Sequence, residues 1–325
     1  MTKAIQISTP GGPEVMHWND VDVGSPGAGE LKIRHTAIGL NYIDVYFRTG
    51  LYPAPQLPFT PGMEACGIVE EVGAEVGDIA VGDKVAYAAA PVGAYAEVRL
   101  MPADRVVKVP GGIDDQAAAA MMLKGMTTQY LLRTTYRVKA GDTIVFHAAA
   151  GGVGLIACQW AKHLGATVIG TVGSDEKAEL ARAHGCDHPI VYTRENLAER
   201  VREITDGAGV PVVYDSVGVD TYEASLDCLA PLGMFVSFGN ASGPVTSVNP
   251  GDLSARGSLF FTRPTLMSYT ATREDLVACA NELFDVVTQG AVNIEVNQTF
   301  ALSEAQAAHR ALESRQTTGS TVLMP

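Results

Sequence analysis

The chain has 325 residues and a formal net charge of −13. Both halves are acidic with no basic stripe, which excludes nucleic acid and anionic lipid as natural partners, because both are bound mainly through Lys and Arg. Apolar residues make up 47% and charged residues 18%, a globular composition at a length where one core gives way to two domains. From Met1 to about Leu123, short segments such as Leu31–Arg34, Gly67–Val72 and Lys84–Tyr87 alternate with turn signals at Gly11-Gly12-Pro13, Ser25-Pro26-Gly27 and Val81-Gly82-Asp83. That texture predicts an antiparallel β-rich barrel or sandwich. Asp114 to Leu123 opens a helix, with its acids where they complement the dipole.

From about Lys124 to Ser258 strands and helices alternate. Thr143–Ala148 reads as a buried strand, Val153–Leu164 as a helix, Thr167–Val172 as the next strand and Lys177–His184 as the next helix. Pro189–Tyr192, Val210–Tyr214, Met234–Phe238 and Ser258–Thr262 read as further strands. Nearly continuous apolar strands between helices predict a parallel sheet covered on both faces. An amphipathic helix follows from Thr272 to Gln289, then a β–α–β piece over Asn297–Pro325. The layout expected is a β-rich domain made from both chain ends around an inserted doubly wound domain.

Ala149-Ala150-Gly151-Gly152-Val153-Gly154 lies between the first strand and helix of that insertion. It fits the dinucleotide fingerprint with Ala at the first glycine position. Gly151 then lets the backbone approach a pyrophosphate, Gly154 lets the helix pack on the strand, and the helix N-terminus holds the phosphates. A merely tight turn is the alternative, disfavoured by the surrounding βαβ unit. After the second strand, Gly173 leaves space, Ser174 offers a hydroxyl and Lys177 a positive charge to an added ribose phosphate. NADPH is therefore expected over NADH, against the neighbouring acids Asp175 and Glu176.

Nothing at Met1–Gln6 resembles a basic-then-apolar leader, and no apolar run approaches the roughly 20 residues of a membrane span. The five cysteines, Cys66, Cys158, Cys186, Cys228 and Cys279, are too dispersed for a disulfide framework or a C-x₂₋₄-C zinc knuckle. The seven histidines show no ligand spacing either. A cytoplasmic protein without a metal is expected, with a bias towards reducing an electrophile over oxidising an alcohol.

Gly11-Gly12-Pro13-Glu14-Val15, Gly39 to Tyr46, Gly50-Leu51-Tyr52-Pro53, Pro61 to Gly67, the loop Ala149–Gly154 and Val213 to Gly218 together resemble the zinc-free, zeta-crystallin-like quinone oxidoreductases of the medium-chain dehydrogenase/reductase superfamily. The resemblance covers essentially the whole chain, including Glu313-Ser314-Arg315. At the position where zinc-bearing relatives carry a ligand histidine, between Gly62 and Glu64, this chain has Met63.

The resemblance implies a GroES-like β-rich catalytic domain (1–123 and 265–325) and a Rossmann-type NADPH-binding domain (124–264), an α/β protein. It implies Asn41, Asp44 and Tyr46 at the nicotinamide, with Asn41 and Tyr46 as candidate donors to a reduced quinone oxygen. The implied cofactor-binding residues are Asn41, Thr127, Tyr130, Ala150, Gly151, Gly152, Val153, Gly154, Gly173, Ser174, Lys177, Tyr192, Ser216, Phe238, Gly239, Asn240 and Arg315. The activity implied is NADPH-dependent quinone reduction. Alkenal or enone reduction is the alternative within enzymes, and a structural or regulatory NADPH-binding protein the alternative outside them. The apolar edge strand near Ser258–Thr262 calls for a cover, and a homodimer through it is expected.

Overall fold

The computed structural model describes residues 1–54, 56–314 and 317–325. Two compact units divide the chain. One comprises Met1–Met126, Thr270–Phe284 and Ile294–Pro325, the other Thr127–Tyr269 and Asp285–Asn293.

The first unit opens with β1 (Thr2–Ile7), β2 (Met16–Val21), β3 (Glu30–Leu40), α1 (Tyr42–Thr49), β4 (Glu64–Val72), β5 (Lys84–Ala88), β6 (Val98–Pro102), β7 (Val107–Lys108) and most of α2 (Asp115–Tyr130). β1 and β2 pair antiparallel with each other. β3 is the hub of a seven-stranded sheet. It runs antiparallel to β4 from Leu31 to Gly39 and pairs with β6 from Glu30 to Arg34. Its burial alternates at first and becomes continuous from Ala37, the change expected where a strand passes from a half-solvated to a doubly covered position.

The second unit contributes β8 (Thr143–Phe146), α3 (Gly152–His163), β9 (Thr167–Val172), α4 (Asp175–Ala183), β10 (His188–Val191), α5 (Leu197–Ile204), β11 (Val210–Asp215), α6 (Tyr222–Cys228), β12 (Leu229–Ser237), α7 (Pro250–Ala255), β13 (Phe260–Thr262) and α8 (Leu266–Tyr269). Its six strands are all parallel, in the order β10-β9-β8-β11-β12-β13. This is the 3-2-1-4-5-6 order of a doubly wound dinucleotide-binding sheet, with its switch point between β8 and β11. Val145, Ile169, Ile190, Val213 and Phe235, one from each of five adjacent strands, form its core with Leu226 and Val201. The strand expected over Thr143–Ala148 stops at Phe146 because Ala148 turns left-handed, at φ 53°.

Thereafter come α9 (Arg273–Thr288), β14 (Val296–Ala301), α10 (Ala305–Glu313) and β15 (Ser320–Met324). β15 lies between β3, to which it is antiparallel, and β14, to which it is parallel. The β-rich unit is thus a mixed sheet with a separate hairpin, closed by strands from both ends of the sequence.

Candidate functional site

In the second unit the sequence-predicted residues collect at one edge of the sheet. Ala150, Gly151, Gly152, Val153 and Gly154 follow β8; Gly173 and Ser174 follow β9; Tyr192 follows β10, Ser216 follows β11, and Phe238, Gly239 and Asn240 follow β12. All stand at carboxyl ends of parallel strands, the edge where this architecture takes ligands. The Gly151 N–H closes the loop on the Ala148 carbonyl at 2.9 Å. A Cβ on Gly154 would lie 2.3 Å from that carbonyl oxygen and 2.7 Å from Ala149 backbone atoms, so only glycine fits. Ala149 is tolerated at the first glycine position because the left-handed turn is made one residue earlier, by Ala148. Gly151 caps α3 without any side-chain bond, which leaves the helix's first N–H groups for an external acceptor. Gly239 is likewise fixed: its Cβ would stand 2.5 Å from the Ser216 carbonyl.

Beneath these loops runs a buried polar network. His147 meets the Thr171 hydroxyl through Nδ1 at 3.0 Å and the Ser225 hydroxyl through Nε2 at 2.9 Å. Ser225 and Thr221 donate to Asp215 Oδ2 at 3.1 and 2.7 Å, and the N–H groups of Val217 and Gly218 donate to Oδ1 at 2.7 and 3.0 Å. Burial pushes the His147 pKa down, against the opposing pull of Asp215. Ser225 is fully buried, so this trio is no nucleophile. It ties the ends of β8, β9 and β11 together across the switch point.

At the end of β9, a Cβ on Gly173 would come within 3.1 Å of the Tyr192 hydroxyl. Ser174 caps α4 by accepting the Lys177 N–H at 3.4 Å. Gly173, Ser174, Lys177 and Tyr192 thus adjoin one another. Nearby Asp175 is held by Arg194, with Nη1 2.8 Å from Oδ2. These residues fit a phosphorylated ribose: a position bare of side chain, a helix start, a lysine and a phenol.

In the first unit Asn41 caps α1, and its N–H donates to Asp44 Oδ2 at 2.9 Å while the Asp44 N–H returns to the Asn41 carbonyl at 3.0 Å. Tyr95 donates to the same Oδ2 at 3.1 Å and sits 3.0 Å from His309 Nε2. Arg48 forks onto Glu313 at 2.7 and 2.9 Å and reaches His309 Nδ1 at 3.3 Å. Arginine only donates, so Nδ1 accepts, the neutral ring donates from Nε2 to Tyr95, and the Tyr95 proton goes to Asp44. Burial drives His309 down to about 3 and Asp44 up to about 7. Since Oδ2 accepts two bonds, a proton on Asp44 resides on Oδ1, a buried atom with no partner.

The Asn41 amide nitrogen donates to Glu64 Oε2 at 2.7 Å and faces the Gly39 carbonyl at 3.5 Å. Glu64 also accepts the Leu123 N–H at 2.7 Å and lies 3.6 Å from Lys124 Nζ; burial, opposed chiefly by Lys124, raises its pKa. The amide nitrogen of Asn41 is therefore engaged within the protein, and the atom its amide has left for a ligand is the oxygen. Tyr46, also on α1, is 9% exposed and packs edge-on to Tyr52 with centroids 5.3 Å apart. Thr127 and Tyr130 close α2, and Tyr130 stacks on Tyr269 at 4.5 Å. Arg315 lies outside the described residues.

Sequence reasoning missed Glu64, Tyr95, His309, Arg48, Lys124, His147 and Asp215 as parts of these networks. Glu64 beside Met63 was the one local signal. Tyr95, His309 and Arg48 join residues 51, 214 and 261 positions apart, which no spacing displays. Among the described residues, no three His, Cys, Asp or Glu side chains gather to hold a metal ion.

Two family models match the chain: an alcohol dehydrogenase GroES-like domain over residues 27–111 and a zinc-binding dehydrogenase over residues 152–284. A donor set for the zinc of that second family is missing among the described residues. A quinone oxidoreductase of Pseudomonas aeruginosa is 59% identical with all of both chains covered. A 2-haloacrylate reductase of Burkholderia is 50% identical over all of this chain and 99% of its own. The solved structure of Escherichia coli quinone oxidoreductase complexed with NADPH superposes with a TM-score of 0.98 at 50% identity, covering 99% of this chain and 100% of its own.

Proposed function

The chain belongs to the quinone oxidoreductase family of the medium-chain dehydrogenase/reductases, and on that premise we propose that it reduces a quinone with NADPH and without a metal. NADPH, when bound, supplies a hydride. The observation that carries the reading is the loop Ala149–Gly154 at the switch point, where Gly154 has no room for a side chain and the α3 N-terminus stands open to a pyrophosphate.

The chain's own residues then have separable tasks. The loop from Ala150 to Gly154 holds phosphate through backbone N–H groups. Gly173, Ser174, Lys177 and Tyr192 take the ribose phosphate. Ser216, Phe238, Gly239 and Asn240, together with Thr127 and Tyr130, are assigned to the rest of the cofactor, as is Arg315. Asn41 presents its oxygen, which suits the carboxamide of a nicotinamide better than a developing oxyanion. The Tyr46 hydroxyl is the donor assigned to that charge. Asp44, fully buried, is a positioning residue: it fixes the Asn41 backbone as Glu64 fixes its amide. Charge developing on a quinone oxygen needs no dedicated acid, since a hydroquinone anion is protonated readily by water.

A second reading is favoured by the Burkholderia relative, whose named substrate is an activated alkene. Hydride delivery to a carbon conjugated to a carbonyl needs the same residues. A turnover panel of NADPH and NADH against a benzoquinone, an enal and 2-chloroacrylate separates the two. Turnover of the quinone supports the proposal, alkene turnover alone transfers it to the second reading, and tight NADPH binding with no turnover at all points to a binding protein.

Phe260, 57% exposed on the edge strand β13, supports a homodimer formed by pairing that strand with its mate. Light scattering at micromolar concentration should give twice the chain mass. The five free, buried cysteines and the acidic surface support a cytoplasmic location. No helix among the described residues is long and apolar enough to cross a membrane.

A further inference from the structure

Asp175 and Glu176 sit directly after Gly173 and Ser174, where a ribose phosphate would have to approach, and two carboxylates there should repel it. The structure shows where each carboxylate is spent. Arg194, two residues beyond Tyr192, holds Asp175 with both terminal guanidinium nitrogens, Nη1 on Oδ2 at 2.8 Å and Nη2 on Oδ1. The Arg194 bond holds the Asp175 carboxyl below the usual carboxylate range, and Asp175 in turn raises Arg194. Glu176 is held low by its own backbone N–H and then by the Ser174 hydroxyl. Glu195, adjacent to Arg194 in the chain, is engaged elsewhere, accepting the Val191 N–H at 2.9 Å and lying 3.2 Å from Arg200, and its charge bears on Arg194 less than that of Asp175 does. The local charges are therefore two acids, Asp175 and Glu176, against two bases, Lys177 and Arg194. With Arg194 the corner is neutral; without it the corner is acidic.

We propose that Arg194 is a specificity-determining residue for NADPH, acting by clamping Asp175 so that this carboxylate does not face the 2′-phosphate. It rests on the NADPH reading above and deepens it, because it concerns which nicotinamide carrier is accepted and leaves the chemistry alone. The fork of Arg194 against the carboxylate fixes direction as well as charge, which a lysine would not do. Both partners are more than half exposed, so solvent and salt screen the effect and keep it moderate. An unphosphorylated ribose, which carries hydroxyls alone at that corner, is not repelled by a freed carboxylate and can donate to it.

Fluorescence titrations of NADPH and of NADH against the full chain, Arg194→Gln, Asp175→Asn and the double variant test this without any turnover. Arg194→Gln should raise the NADPH Kd about 5-fold at low salt and leave the NADH Kd unchanged or lower it. Asp175→Asn in the same chain should restore NADPH binding, because the carboxylate being restrained is then gone. Equal weakening of both cofactors by Arg194→Gln overturns the proposal. So does a double variant that stays weak, which would mean that Arg194 touches the phosphate itself. A parent chain that binds NADH as tightly as NADPH defeats the cofactor reading instead, and shows it before any variant is made.

Discussion

On the proposed reading, the two units hold their parts of the reaction by different means. Around the glycine loop the parallel-sheet unit relies on backbone: Gly154 and Gly239 stand where a Cβ would collide with a carbonyl oxygen at 2.3 and 2.5 Å, and its polar cluster of His147, Asp215, Ser225 and Thr221 braces the loops. The β-rich unit relies on ionisable side chains: Asn41 is gripped through Asp44 and Glu64, and these are set by Tyr95, His309, Arg48 and Lys124. Backbone grips are insensitive to protons. A side-chain grip made of buried acids is not, and so chemistry in the β-rich unit should respond to pH where the backbone hold of the glycine loop on a pyrophosphate does not.

The strongest way to break this contrast is Gly154→Ala. A methyl group there overlaps main chain that has nowhere to go, so titration with NADPH should detect no binding, while circular dichroism still reports a folded sheet. Binding that survives would mean that the loop is not held by contact. Next is the stability of Asp44→Asn against pH. Burial raises the folded pKa of Asp44 from 3.8 to about 7, so its neutral form stabilises fully below the unfolded value and that contribution is lost as pH rises through about 7. Asn does not titrate. The unfolding free energy of the parent relative to Asp44→Asn should therefore fall by about 4 kcal/mol between pH 4 and pH 8, measured by denaturant melts. A difference that is flat with pH would place the Asp44 pKa near its ordinary value.

Glu64→Gln sharpens the comparison within the β-rich unit. The amide introduced there can turn its own donor towards Asn41 and mis-set it, so kcat should fall about 10-fold, the scale of one charged hydrogen bond, with the NADPH Kd unchanged. A matching loss of NADPH affinity would assign Glu64 to binding. The smallest effect belongs to Lys177→Ala, which should weaken NADPH about 5-fold and NADH hardly at all; titration with both cofactors reads it directly.

How much was legible beforehand divides along the same line. The doubly wound sheet, the loop Ala149–Gly154 and the corner at Gly173 could be read from sequence because backbone sites are made of consecutive residues, and glycine spacing records them. Asn41, Asp44 and Tyr46 came only through resemblance, since a helix cap alone carries no chemistry. Tyr95 and His309 could not be read at all: each is an ordinary buried ring until the fold sets the loop at Tyr95 and helix α10 against α1, where Tyr95 meets Asp44 and His309 meets Tyr95 and Arg48. The donor role expected for Asn41 changed for the same reason, because Glu64, 23 residues away, had already claimed the amide nitrogen.

The placement of β15 also bears on biosynthesis. The strand is inserted between β14 and β3 with Val322 and Leu323 fully buried, so the sheet begun at β3 lacks an interior strand until β15 has been made. The parallel-sheet unit, continuous from Thr127 to Tyr269 apart from one short later segment, can complete nearly all of itself long before. During translation the half started first is finished last, and in that interval the free edge of β3 is the surface a chaperone would have to guard.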